Sequence, residues 1–255
     1  MNETFHLLSN QVNRAFYTVC DGHGGIEAAE MTSQILAKHF VTSLSVQGTD
    51  VLEAYRQAIH LTDADVLDRA NEENWLAGTT CVSCFIEGEI LYVCSVGDSE
   101  AIIAKRRDDS VSGNSPYEGI PVSFKHKPSD DAEKQRITEA GALVFRGRIF
   151  GKLAVSRALG DAEFKMPKAK ADYVICDPHL ASYQLDESHA FLIVACDGLW
   201  DKVTYQEAVD FVYEQQQTEK SAQQISELLA ARAIDKGSKD NVTVIVVELK
   251  WRPIV

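Results

Sequence analysis

The sequence predicts an α+β fold of mainly antiparallel sheets with helices segregated onto their faces, and three observations carry that prediction. The elements run strand, two long helices, a series of strands, two helices and a last strand, whereas a doubly wound parallel fold alternates strand and helix more regularly. The runs Phe191-Leu192-Ile193-Val194-Ala195-Cys196 and Val242-Thr243-Val244-Ile245-Val246-Val247 are almost unbroken apolar stretches, as in strands of two packed sheets with outer helices. A length of 255 residues, 45% hydrophobic, suits a single domain over 1–255 that buries roughly 70–75% of its unfolded surface.

Each element has its own signal. Phe16-Tyr17-Thr18-Val19-Cys20 reads as a strand, and Asp21-Gly22-His23-Gly24-Gly25 as a tight turn whose glycines allow close backbone approach. Ala29, Ser33, Leu36, Phe40 and Leu44 then recur at helical spacing, as do Leu52, Tyr55, Ile59, Val66 and Ala70 in a second helix. Residues 79–105 change period, with two strands joined at Glu87-Gly88 and a third from Ser99 to Lys105. Arg106 to Pro128 has no period and is predicted to be a long loop. Ser129 or Asp130 can cap a short helix reaching Ala140, and Ala142 to Val155 reads as short strands interrupted by Gly147 and Gly151. Residues 156–172, with Arg157, Asp161, several lysines and Pro167, form a candidate mobile flap. Strands are expected near Tyr173–Ile175, at Phe191–Cys196 and over 241–249. Between the last two, Thr204-Tyr205-Gln206-Glu207 and Ser221-Ala222-Gln223-Gln224 fit the capping box at the starts of two helices.

Composition narrows the function. A net charge of −13, from 38 acidic against 25 basic residues, argues against non-specific binding of nucleic acid or membranes. The longest apolar runs are about seven residues, against roughly 20 for a membrane span, and Met1-Asn2-Glu3-Thr4-Phe5-His6 lacks a signal-peptide pattern, so a cytoplasmic protein is expected, with the nucleus as the alternative. The six cysteines read as small buried thiols, and Cys81-x-x-Cys84 would face opposite sides of one strand. Asn2-Glu3-Thr4 and Asn241-Val242-Thr243 match the glycosylation pattern but are not expected to be used without a secretory signal.

Asp21, Asp98 and Asp197 each follow an apolar run, and Asp240 precedes one. In an antiparallel sheet, C-terminal strand ends lie beside N-terminal ones, so all four can converge on one edge. Two carboxylates about 4 Å apart repel by on the order of 4 kcal/mol at an effective dielectric near 20, which calls for a compensating cation. All-oxygen ligands favour Mg²⁺ or Mn²⁺ over Zn²⁺, and two such ions suit phosphoester hydrolysis. The competing reading is that these aspartates are ordinary turn residues. His23 can serve as a general acid toward the leaving alkoxide or as a histidine hydrogen-bonded within its turn. No cysteine is followed six positions later by arginine, and neither a Walker A loop nor a full Gly-x-Gly-x-x-Gly is present.

The segments Asp21-Gly22-His23-Gly24-Gly25, Ala77-Gly78-Thr79-Thr80, Val96-Gly97-Asp98-Ser99, Gly151-Lys152-Leu153-Ala154-Val155-Ser156-Arg157-Ala158-Leu159-Gly160-Asp161, Asp197-Gly198-Leu199-Trp200-Asp201 and Gly237-Ser238-Lys239-Asp240-Asn241-Val242-Thr243 resemble, in order and over about residues 15–249, the type 2C, metal-dependent (PPM) family of protein serine/threonine phosphatases. The resemblance implies a four-layer α-β-β-α sandwich with a binuclear metal site on one edge, at which a metal-activated water hydrolyses phosphoserine or phosphothreonine in proteins. It implies that Asp21 bridges the two ions, that the Gly22 carbonyl binds one, and that Asp197 and Asp240 bind the other. It further implies a weaker third ion at Asp98, Asp197 and Asp201, with His23 as general acid.

Three departures from the family pattern stand out. Glu100 replaces the arginine that usually follows Gly-Asp-Ser, and Phe150 replaces an asparagine common before the glycine at position 151. Only twenty residues precede Asp21, and they do not reproduce the family's N-terminal strand with its arginine and Met-Glu-Asp triplet; Arg14 is out of register. A pseudophosphatase, a scaffold that binds metal or partners with little turnover, is therefore the alternative, and a purely structural β-rich domain is the third. Phosphoprotein substrates are expected, as is a monomer, with an open sheet edge as the route to association.

Overall fold

The computed structural model describes residues 14–107 and 115–251, and backbone pairing sorts its long strands into two sheets. The first part of the chain contains β1 (Arg14–Val19), β2 (Gly22–His23), α1 (Glu27–Leu44), α2 (Val51–Glu73), β3 (Gly78–Thr79), β4 (Cys81–Glu87), β5 (Ile90–Val96) and β6 (Glu100–Arg106). The middle contains β7 (Tyr117–Pro121), α3 (Asp131–Glu139), β8 (Val144–Phe145), β9 (Arg148–Ile149) and β10 (Leu159–Gly160). The last part contains β11 (His179–Gln184), β12 (His189–Ala195), α4 (Asp197–Trp200), α5 (Tyr205–Gln216), α6 (Ala222–Asp235) and β13 (Val244–Glu248).

One sheet has the order β1-β4-β5-β11 and the other β13-β12-β6-β7, every neighbouring pair antiparallel. Val82, Cys84, Leu91 and Val93 of the first sheet meet Ala101, Ile103, Leu192 and Val194 of the second in a shared core. On the outer face of the first, Phe16, Cys81 and Phe85 pack under Leu36, Phe40, Tyr55 and Ile59 of α1 and α2. On the outer face of the second, Phe191 and Ile193 pack under Val209, Val212, Ile225 and Leu229 of α5 and α6. The layers are therefore helix, sheet, sheet, helix, and burying apolar side chains on both strand faces accounts for the unbroken apolar runs. Cys81 and Cys84 do face opposite sides, one in each core.

Both capping boxes form, at Thr204 with Glu207 and at Ser221 with Gln224. Two expectations are corrected. The predicted loop from Arg106 to Pro128 contains β7, an edge strand paired to β6, and its Gly119 and Pro121 obscure it in the sequence. Tyr173–Ile175 is not a strand but makes a single bridge, Ile175 to Arg157; the strand that completes the first sheet is β11, polar on alternate positions because it lies at an edge. In the 156–172 segment, Leu159-Gly160 pairs with β3, and Lys165 is buried against the Asp63 carboxylate at 2.7 Å.

Beneath the edge of the sheets, Glu133 of α3 accepts from Arg157 at 2.5 Å and from Arg136 at 3.1 Å. Burial alone would raise its carboxyl, but the hydrogen bond and charge of Arg157, with that of Arg136, hold it down at about 2. Nearby His126 is pushed down to about 4, chiefly by burial and then by the charge of Arg157, with Glu133 opposing and His179 adding to the lowering. Both shifts act in the same direction. An unfolded chain takes up a proton at His126 below its ordinary 6.5, and at Glu133 below 4.5, before the folded chain does. His126 is therefore expected to contribute up to about 3 kcal/mol of stability that is lost as pH falls from 6.5 to about 4, and Glu133 a contribution lost further toward pH 2. Urea denaturation of the wild type beside His126→Gln checks it: the stability difference between the two should change by that amount across pH 6.5 to 4, and a difference unmoved by pH would contradict it.

Candidate metal centre

The antiparallel registers bring four chain segments to one edge. Val19 at the end of β1 pairs with Val82 near the start of β4, and Cys81 pairs with Val96 at the end of β5, so Asp21 and Asp98 leave the first sheet on the same side. Ala195 at the end of β12 pairs with Val244 at the start of β13, which does the same for Asp197 and Asp240 in the second sheet. Gly198 completes the approach, since a Cβ there would lie 2.2 Å from the Asn241 carbonyl, while Ser238 Oγ donates to the Gly198 carbonyl at 2.9 Å. Asp21, Gly22, His23, Asp98, Asp197 and Asp240 all line one open cavity of about 560 Å³. Asp201, at the C-terminal end of α4, is exposed and does not line it, although its charge acts on Asp197.

The electrostatics follow from this convergence. Partial burial and then the charges of Asp197, Asp98 and Asp240 push the Asp21 carboxyl up to about 7. Asp197 is raised as well, by burial and by Asp98. Asp98 is 3% exposed and forms an ion pair with Lys127, whose own ammonium is held above its usual range by Asp98 against the opposing effect of burial. Among the described residues, no three His, Cys, Asp or Glu side chains already form a compact ligand set. The fit to a metal rests instead on the donors. Asp21, Asp98, Asp197 and Asp240, from four segments, line a single cavity together with Gly22, and the mutual repulsion of the carboxylates is what a hard divalent cation relieves.

His23 sits on β2, which pairs with β3 through Gly22–Thr79 and His23–Gly78. Its Nε2 lies 2.8 Å from Oδ2 of Asp161, a contact across 138 residues. Burial opposes a charge on the imidazole, but Asp161, with Asp21 and Asp98 behind it, raises His23 above its ordinary value. Asp161 is 2% exposed and adopts φ +55°, a left-handed conformation that aspartate tolerates better than most residues. Its backbone N–H donates to the Ala77 carbonyl at 3.1 Å, and its carboxylate occupies the space where a Cβ on Gly78 would stand, 2.3 Å from Asp161 Cγ. The preceding Gly160 N–H donates to Asp63 at 2.8 Å, and Asp63 is in turn neutralised by the buried Lys165. Asp161 is the cavity residue that the sequence alone leaves without a role. The available signal was its place at the end of the Ser156 to Asp161 motif, which named no partner for it.

Arg14 pairs with Glu87 at the far end of β1 from Asp21. It therefore stands roughly 20 Å of strand away from the cavity. Residues 1–13, on which a family-type N-terminal segment would fall, lie outside the described residues. Glu100 is buried, paired with Lys125 at 2.7 Å, and accepts a hydrogen bond from Tyr205 Oη, so its departure from the family pattern is absorbed by the sheet and α5.

The family model for protein phosphatase 2C matches residues 1–242. Protein spalten of Dictyostelium discoideum is 41% identical over 93% of this chain and 24% of its own length. Probable protein phosphatase 2C 59 of Arabidopsis thaliana is 37% identical over 91% of the chain and 68% of its own. The chain spans only about a quarter to a third of the first curated relatives it matches, protein phosphatase 1E of Mus musculus among them at 31%. Among solved structures, a serine-threonine phosphatase 2C from Toxoplasma gondii superposes with a TM-score of 0.78 at 21% identity, over 93% of this chain and 85% of that one, a likeness of fold. With the family model matched over nearly its whole length, the chain belongs to the protein phosphatase 2C family.

Proposed function

We propose that the chain hydrolyses phosphoserine and phosphothreonine in proteins of the cytoplasm, using Mg²⁺ or Mn²⁺ held at the sheet edge. The observation that carries this reading is the convergence of Asp21, Asp98, Asp197 and Asp240, from four segments, on the cavity that also holds the His23–Asp161 pair. Asp21, the Gly22 carbonyl, Asp197 and Asp240 would hold two ions, and Asp98 with Asp197 and Asp201 a weaker third. When bound, such ions supply Lewis acidity and a water nucleophile at neutral pH. The protein's own residues do the rest. Asp161 holds His23 by Nε2, which leaves Nδ1 to deliver a proton to the departing serine or threonine oxygen. A second reading, a metal- or partner-binding scaffold with little turnover, draws support from the ion pair that Lys127 makes with Asp98.

Hydrolysis of p-nitrophenyl phosphate and of a phosphothreonine peptide is expected to require Mn²⁺ or Mg²⁺ and to stop in EDTA. The melting temperature should rise with Mn²⁺, because an ion that binds only the folded state stabilises it by about 2.7 kcal/mol at a hundred times its Kd. A melting shift without turnover would select the scaffold reading. Neither a shift nor turnover at millimolar Mn²⁺ would leave the aspartates as turn residues.

A further inference from the structure

The six cysteines are all free thiols, and one stands apart: Cys20 is half-buried, while Cys81, Cys84, Cys94, Cys176 and Cys196 are buried. Strand pairing gives Cys20 a neighbour. Val19 lies opposite Val82 where β1 meets β4, and Gly22 lies opposite Thr79 where β2 meets β3, so one antiparallel register runs through both and sets Cys20 opposite Cys81. The next pair along, Asp21 and Thr80, is joined by a hydrogen bond from the Thr80 N–H to the Asp21 carbonyl at 2.9 Å. Hydrogen-bonded and non-hydrogen-bonded pairs alternate in such a ladder. Cys20 and Cys81 therefore form a non-hydrogen-bonded pair, the kind whose Cα atoms stand closest, at about 4.5 Å, with both side chains on one face.

That face is the one under the helices. Cys81 lies in the core with Phe16, Phe40 and Tyr55, and Cys20 packs against the same cluster. A hydrogen bond with Cys20, and then burial, push the Cys81 thiol well above its ordinary value. The other thiols of β4 and β5 are less well placed. Cys84 points into the opposite core. Cys94 lies opposite Ser83, two positions from the Val96 that faces Cys81. Such a diagonal is roughly 7–8 Å, beyond the roughly 4.4–6.8 Å between Cα atoms that a disulfide spans. The Cys20 and Cys81 pair also lies directly behind the metal centre, since Cys20 precedes Asp21, Cys81 follows Thr80, and Asp21 and Thr80 both line the cavity.

We propose that Cys20 and Cys81 are an oxidation site, closed to a disulfide by hydrogen peroxide and reopened by a thiol reductant, and that closure weakens metal binding at Asp21. The second half of the proposal rests on the reading of the cavity as a metal centre; the first does not. The half-buried sulfur is the one that peroxide reaches, and the buried sulfur opposite resolves the product. In the first step the Cys20 sulfur attacks one peroxide oxygen, the O–O bond breaks, one water leaves and Cys20 becomes a sulfenic acid. The Cys81 sulfur then attacks the sulfenic sulfur, the S–O bond breaks and a second water leaves as the S–S bond forms. Two thiols have lost two electrons and two protons, and the peroxide has taken up both to become two waters. Closure draws the Cβ atoms from about 4.5–5.5 Å to about 3.8 Å. Asp21 is one peptide bond away, and a metal site holds its ligand distances to within about 0.2 Å, so the pull spoils the position of that carboxylate.

The test treats the full chain with hydrogen peroxide and maps its disulfides by tandem mass spectrometry without reduction. The Mn²⁺-induced melting shift is read before oxidation, after it, and after dithiothreitol. Cys20 should be found linked to Cys81, not to Cys84 or Cys94, and the metal shift should fall by about half or more and return with dithiothreitol. Cys20→Ser and Cys81→Ala should each keep their shift through peroxide. Cys20→Ser changes only a half-buried side chain, so it decides the matter even where the buried Cys81→Ala substitution lowers the melting point. A treated chain without the link between Cys20 and Cys81, a linked chain with an undiminished Mn²⁺ shift, or a Cys20→Ser variant that loses its shift as the wild type does would overturn the proposal. A reduced chain with no Mn²⁺ shift at all would instead overturn the metal centre, and the mapped link would then support the oxidation site by itself.

Discussion

Asp197→Asn is expected to lower turnover of both p-nitrophenyl phosphate and a phosphothreonine peptide by at least about a thousandfold, or roughly 4 kcal/mol of transition-state stabilisation. The substitution keeps the side chain's shape at the start of α4 while removing one negative charge and one ligand from the group formed with Asp21, Asp98 and Asp240. The same change relieves the repulsion that raises Asp21. The variant's metal-free melting temperature should therefore be no lower than that of the wild type, while its rise on adding Mn²⁺ should be much smaller. Calorimetry with and without Mn²⁺, beside steady-state kinetics, separates this from unfolding. Turnover within a few fold of wild type would remove Asp197 from the metal centre.

Asp161→Asn is expected to cut kcat on the phosphothreonine peptide by about a hundredfold or more, the lower end of what a positioned general acid contributes. On p-nitrophenyl phosphate the loss should be far smaller, because that leaving group departs with little need of a proton. The variant isolates the charge: asparagine tolerates the left-handed backbone at 161 and fills the same space against Gly78. It removes the carboxylate that holds His23 Nε2 at 2.8 Å. His23→Gln should show the same split between substrates. Equal losses on both substrates in Asp161→Asn would assign Asp161 to the fold alone.

Both predictions rest on contacts that differ in how far the sequence reveals them. The four aspartates were legible because each stands at the end of an apolar run, and a strand end is a local property that fixes which way the chain leaves the sheet. The helix starts at Thr204 and Ser221 were legible for the same reason, since a capping box closes within four residues. The edge strands β7 and β11 were not. Their side chains lack a buried stretch, and what makes them strands is hydrogen bonding to β6 and β5.

By itself, the sequence determined the family, the α+β layering and the positions of Asp21, His23, Asp98, Asp197 and Asp240, because these depend on residue types at short spacing. Only the tertiary structure decided that Asp161 belongs to His23, that Lys127 belongs to Asp98, that Arg14 belongs to Glu87, and that Arg148 opens onto the cavity. The partners in those three pairings are separated by 138, 29 and 73 residues. At such separations the partner is chosen by which strands and loops the packed core brings together, and no local periodicity records that choice.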